Sequence, residues 1–410
     1  MSDQSPLVSA LRARRAAWAA FGLMGIVSMA WVPRIPEIKD SLHLSNGAFG
    51  LLLMGSTCGS LFGAQLAGRL IHTFGSRRVS RFAVFLMPTG LVAMGFAHSS
   101  LQLFAALFFM GLGYASLDIS LNTQAVAIEK LLSKRCMSSF HALWSTGAFV
   151  TTIFGGLISR HTTPRFNLVF VGVASLLSFI PAVAFLLDSE LDGHDGGIEE
   201  TTAKIPLFGK SVLSLWAIGV GLFGALIAEG ATGDWGAILL RDHMRVGKGL
   251  NASAFASFAL AMIISRFLGD RALDYFGPAK TVKLGGFIGG SALGLSVAIA
   301  VPLSSHWHAT ALVLINLGFF IAGLGMGPIF PAYILAASEV QGIAPSVAIA
   351  RVGVIGIAAF FVGPSLTGGL AQVTSLPVAM ALPAAMFIFS GYQSRAIKVT
   401  EHKLRRSRDY

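Results

Sequence analysis

The chain has 410 residues, of which 54% are hydrophobic and only 12% charged, with a mean hydropathy of +0.72. Soluble domains carry about 25% charged residues, so this composition excludes a soluble enzyme and predicts an all-α membrane protein with several spans. The net charge of +11 does not point to nucleic acid, because the basic residues sit in short loops between apolar runs.

A helix needs about 20 apolar residues to cross a hydrocarbon core. Apolar windows fall at 16–36, 46–71, 79–97, 101–128, 138–159, 167–187, 211–238, 251–270, 280–302, 309–336, 343–372 and 375–392, which predicts twelve transmembrane helices. Arg12, Arg14 and Arg15 precede the first window as in a signal peptide, but eleven more runs follow, so it reads as the first span. An even number of spans places both termini on one side. Arg12, Arg14, Arg15, Arg69, Arg77, Arg78, Arg81, Lys130, Lys134, Arg135, Lys204, Lys210, Arg271, Lys280, Lys283 and the tail then share that side, against Arg34, Lys39, Arg160, Arg165, Arg241, Arg245 and Lys248. This bias of about threefold predicts cytoplasmic termini in a cell inner (plasma) membrane. Cys58 and Cys136 lie in or beside apolar segments, so no disulfide is expected, and they form no metal-ligand spacing.

The polar stretch 188–210 divides the chain into residues 1–187 and 211–394, two bundles of six helices, with a basic tail at 395–410. The halves repeat. GRLIHTFGSRR at Gly68–Arg78 returns as GDRALDYFGPAK at Gly269–Lys280, FFMGLG at Phe108 returns as FFIAGLG at Phe319, and GGL recurs at Gly155 and Gly368. Paired six-helix repeats fit an alternating-access architecture with a site near the bilayer midplane.

GRLIHTFGSRR resembles the loop signature of the major facilitator superfamily, with His72 where that signature usually has Asp and Asp274 keeping an acid in the second copy. LDISLNTQ resembles the fourth helix of the fucose–proton symporter branch. WVPRIP, SFHALWSTGAF and EGATGDWGAILLRD resemble bacterial rhizopine-transporter-like proteins. The resemblance implies two pseudo-symmetric six-helix bundles and secondary transport, without an enzymatic reaction.

Asp118 lies inside the fourth window, where an acid costs roughly 2.5–3.5 kcal/mol on insertion scales. Asn122 follows at i+4 on the same helix face, and that face reads as the lining of a polar cavity. Asp118 is the candidate proton carrier, against the alternative of a structural acid paired to a neighbouring helix. His141 and Trp144 lie one turn apart in the fifth window. His141 is read either as a partner that tunes Asp118 or as a packed histidine, and Trp144 either as a stacking platform or as core. The symporter resemblance implies substrate contact there.

Glu229, Asp234 and Trp235 lie in the seventh window, whose glycines predict a bend. Glu229 is a second proton-coupling candidate. Asp234 and Trp235 are candidate solute ligands, with membrane-interface and aromatic-belt roles as the alternatives. Arg351 in the eleventh window is an anion ligand, a partner for Asp118 or a snorkelling cation. Arg34 reads as a gate or interface residue. Arg77, Arg78, Glu129, Arg271, Asp274 and Glu339 form candidate inner-gate ion pairs.

No nucleotide fingerprint or zinc spacing is present, so no cofactor and no metal are expected. The expected partners are a small solute, a proton as coupling ion and the lipid bilayer, with no nucleic acid and no obligate protein partner. The reading is proton-coupled uptake of a sugar- or polyol-like solute. Its alternatives are a proton-coupled exporter of drugs or metabolites, an organic-acid transporter, and a membrane sensor on a transporter fold.

Overall fold

A computed structural model describes residues 6–134, 136–192, 210–340 and 345–408. The side chains of His72 and Asp274, most of the expected linker (193–209) and the tail side chains beyond residue 397 lie outside the described residues. The described residues are helical, without strands. The long helices are α1 (Pro6–Met29), α2 (Asn46–Phe74), α3 (Ser76–Gly95), α4 (Ser100–Leu132), α5 (Met137–Ile158), α6 (Pro164–Ala184), α7 (Lys210–Ile238), α8 (Ser253–Phe276), α9 (Pro278–Leu303), α10 (His308–Met326), α11 (Pro345–Val373) and α12 (Ala381–Arg408).

Eleven segments among the described residues are long and apolar enough to cross a membrane. The helix that falls short is α3, because Arg77, Arg78 and Arg81 crowd its first turns. One expectation needs correction. The tenth window is interrupted after Met326, and a separate helix, Ile329–Ser338, completes it. The glycine-rich stretch 229–236 lies inside one continuous α7, which runs to Ile238 and then passes into a π-turn, Leu239–His243. The basic stretch Arg395–Arg408 is helical and continues α12.

Local sequence explains several boundaries. Ser99 caps α4 by accepting from the Gln102 N–H, and Ser133 ends it in the left-handed conformation, φ 49°. Thr163 caps α6 in the same way, with Pro164 at its first position.

The chain divides into two compact units. The first holds Met1–Leu44, Leu51–Gly197 and Lys248–Leu250; the second holds Ser45–Gly50, Ile198–Gly247 and Asn251–Tyr410. In the first, α3 packs on α4 and α6, while α1 packs on α4, α5 and α6. In the second, α9 packs on α10 and α12, while α7 packs on α11 and α12. The pairs α3–α4, α3–α6, α1–α5 and α1–α6 recur six helices later as α9–α10, α9–α12, α7–α11 and α7–α12, which is the packing counterpart of the sequence repeat.

Hydrophobic attraction contributes little between helices inside a membrane, so close packing through small residues has to hold them. The crossing of α1 and α5 shows this. A Cβ added at Gly25 would stand 2.0 Å from the Trp144 carbonyl oxygen, and one at Gly147 would stand 2.1 Å from the Gly22 carbonyl oxygen. Both obstacles are backbone, so no rotamer change relieves them. Gly25→Val is therefore expected to lose the monodisperse peak of the detergent-extracted protein in size-exclusion chromatography. Gly369→Ala, at a glycine facing open space, is expected to keep it. Equal behaviour of the two variants would refute this packing role.

Candidate functional site

In the first unit, α4 carries Asp118 and Asn122, both half-buried. The Asn122 amide donates to Asp118 Oδ1 at 3.1 Å and to the Asp118 carbonyl oxygen at 2.8 Å. The i+4 spacing thus becomes a direct contact, with Asn122 holding the carboxylate against its own helix. On α5, His141 lies with its ring 5.3 Å from that of Phe21 on α1, and Phe21 stacks on Phe140 at 5.5 Å. Trp144 is half-buried, and its indole N–H is buried without an acceptor. The glycine crossing of α1 and α5 runs through the Trp144 backbone.

In the second unit, Glu229 is half-buried on α7 and within electrostatic reach of Arg266 on α8. Its carbonyl oxygen accepts from the Thr232 hydroxyl at 2.8 Å. Asp234 is half-buried beside Trp235, which is fully buried. The Trp235 ring meets Phe49 edge-on at 5.5 Å, and a Cβ on Gly368 would stand 3.1 Å from Cη2. Trp235 therefore presents no open face to a solute in this structure, and it does not lie in a lipid-facing belt. Arg351 is half-buried on α11.

Two of the candidate gate residues have partners outside the candidate set. Glu129 Oε1 accepts from the backbone N–H groups of Cys136 and Met137 at 2.5 and 2.8 Å, so this carboxylate caps the start of α5. Arg77 pairs with Asp188 and donates to the Ala184 carbonyl oxygen. Arg78 and Arg271 are exposed and Glu339 is half-buried.

The cap also governs a thiol. Burial pushes the Cys136 thiol above its ordinary pKa, and the Glu129 carboxylate adds to that shift. The thiolate is the reactive form, so maleimide labelling of Cys136 is expected to set in at higher pH than for a free thiol. Glu129→Gln keeps the oxygen acceptor but removes the charge. It is expected to move the labelling curve part of the way back toward lower pH, measured in a Cys58→Ser background. An unmoved curve would show that Glu129 has no electrostatic hold on Cys136.

Residues 16–347 match the Major Facilitator Superfamily. The chain belongs to this superfamily. It is a multi-pass membrane protein of a transporter class, not an enzyme. An uncharacterized MFS-type transporter of Yersinia pestis is 29% identical over 381 residues, covering 92% of this chain and 94% of that one. The membrane protein MosC of Rhizobium meliloti is 27% identical, covering 87% and 83%. Among solved structures, a bacterial homolog of the human lysosomal transporter Spinster aligns with a TM-score of 0.74 at 14% identity, covering 97% and 98%. The nucleoside transporter NupG aligns at 0.72 with 10% identity, covering 95% and 99%. At such low identity these structures show the major facilitator fold alone.

Within that fold, sequence reasoning left two groups aside. Arg266 stands as a cation inside the apolar window 251–270, but a charge partner one helix away has no fixed spacing to reveal it. Asp192 and Gln124 form a buried polar cluster that only the folded chain brings together. A polar residue at 124, two positions past Asn122 in an apolar helix, was the available signal.

Proposed function

We propose that this transporter couples the uptake of a small polar solute, sugar- or polyol-like, to a proton carried by Asp118. The observation that supports it most is the Asp118–Asn122 contact, an acid inside a membrane-spanning helix held by an amide of the same helix. Ionisable groups inside membrane spans mark ion and substrate paths by default. Asn122 keeps the carboxylate in place, so the group can take up and release a proton without losing its position. Protonated, Asp118 donates a hydrogen bond to a solute hydroxyl; ionised, it only accepts. Solute and proton are then recognised together. The threefold bias of basic residues supports cytoplasmic termini in a plasma membrane.

The test is the pH outside proteoliposomes, with no imposed gradient, as sugars, polyols and organic acids are added one at a time. An alkaline shift with one solute supports proton symport and names the solute class. Entry of a labelled solute without any pH shift would refute proton coupling.

A further inference from the structure

The two repeats share an unusual turn and differ in how it is satisfied. Gly75 has φ 79° and ψ 156°, and Gly277 has φ 77° and ψ 155°, a region open in practice only to glycine. Each begins the next helix. After Gly277 comes Pro278, which has no N–H to satisfy. After Gly75 comes Ser76, fully buried, with both an N–H and a hydroxyl to place.

Asp192 takes both, since its Oδ2 accepts from Ser76 N and from Ser76 Oγ, each at 2.7 Å. Asp192 is only 3% exposed. Its charge faces the positive end of α3, where a carboxylate is favoured. The Gln124 side chain, fully buried on α4, donates to Ser76 Oγ at 2.7 Å and to the Leu187 carbonyl oxygen at 2.9 Å, and accepts from Leu187 N at 2.8 Å. The turn 188–192 is held by N–H donation from Leu191 and Asp192 to the Asp188 carbonyl oxygen. It sits on the glycine itself, because a Cβ on Gly75 would stand 2.7 Å from Ser189 Cβ and 3.2 Å from Asp192 Oδ2.

We infer that Asp192 is a positioning residue, fastening the first turn after α6 through Ser76 and Gln124 to α4, the helix that carries Asp118 and Asn122. The inference rests on the reading of that helix as the solute- and proton-binding element. The proline of the second repeat removes the need for an equivalent acid, and among the described residues the fastening is seen in the first unit.

The test uses the full chain in proteoliposomes, with Cys58 and Cys136 changed to serine and Asn122→Cys as reporter. The probe is MTSES, a charged thiosulfonate, applied from both faces. Backbone amide exchange at Ser76 is followed in parallel. Asp192→Asn is expected to speed exchange at Ser76 and to change the labelling rate at the reporter about tenfold, the effect of losing one charge-assisted hydrogen bond. Faster exchange at Ser76 with an unchanged labelling rate would confine the fastening to α3 and overturn the inference, as would no change in either. Should Asp192→Asn fail to fold, Ser76→Ala removes only the hydroxyl joint between Asp192 and Gln124. A smaller shift at the reporter is then expected, and an unchanged rate overturns the inference. Neither readout involves a solute or a proton flux, so it fails or succeeds separately from the transport reading.

Discussion

Asp118→Asn is expected to abolish the solute-induced alkaline shift while leaving exchange of labelled solute across the membrane intact. Asparagine has nearly the same shape as aspartate, and its side-chain oxygen can still accept from Asn122 at the 3.1 Å contact seen here. The helix and the site geometry are therefore retained, and only the titrating proton is lost. One proton crossing a potential of 100 mV releases about 2.3 kcal/mol, enough to hold a solute gradient of about 50-fold. Accumulation by the variant is thus expected to fall from as much as about 50-fold to near unity, without a matching fall in counterflow. Glu229→Gln provides the comparison. Glu229 already has the Arg266 guanidinium acting on it, so its neutralisation is expected to alter solute affinity more than coupling. Loss of the alkaline shift in Glu229→Gln alone, with Asp118→Asn coupled as before, would move the proton carrier to the second unit.

What the sequence revealed depended on the distance over which each signal acts. Asp118 and Asn122 were legible because one helical turn joins them, and the turn is set by backbone geometry alone. The repeat was legible because its copies keep the same glycine at the same turn, with φ 79° and 77°. Trp235 was not legible. Its composition suits a solute platform or an interface belt, and only the fold shows that Phe49 and the α11 backbone enclose it. Glu129 misled for a related reason. A carboxylate near basic loops suggests an ion pair, but Cys136 and Met137 offer it backbone donors, and nothing in residue spacing distinguishes a charged partner from a bare helix end. The glycines at 230, 233 and 236 predict a bend, and α7 carries them within a continuous helix to Ile238. Arg34 in WVPRIP reads as a gate or interface residue, with no sign in the sequence that all its partners but Glu37 lie more than a hundred residues away.

Those partners make Arg34→Met the variant expected to cost most in stability. The Arg34 side chain is fully buried. Its Nε donates to Asn167 Oδ1 at 3.0 Å, and Nη2 donates to Thr162 Oγ1 at 2.6 Å. Nη1 donates to Glu37 Oε2 at 2.9 Å and to the carbonyl oxygens of Thr162 and Ser159 at 3.2 and 3.3 Å. One guanidinium therefore joins the end of α5, the start of α6 and the helix Ile35–Ser41. Methionine fills much of the same volume but leaves these acceptors without a donor. Breaking a buried ion pair from one side costs about 3–5 kcal/mol. Here the lower end applies, because Glu37 Oε1 also accepts from the exposed Lys248 at 2.8 Å and is not left as an uncompensated charge. The remaining loss falls on Asn167, Thr162 and two backbone carbonyls, and a melting temperature lower by on the order of 5–10 °C in detergent is expected. Arg34→Lys retains the charge as a single compact donor that cannot span three helices, so it is expected to fall between the variant and the parent. A melting temperature for Arg34→Met equal to that of the parent would mean that the five hydrogen bonds contribute no net stability. A greater loss for Arg34→Lys than for Arg34→Met would mean that charge burial, not hydrogen-bond geometry, governs the site.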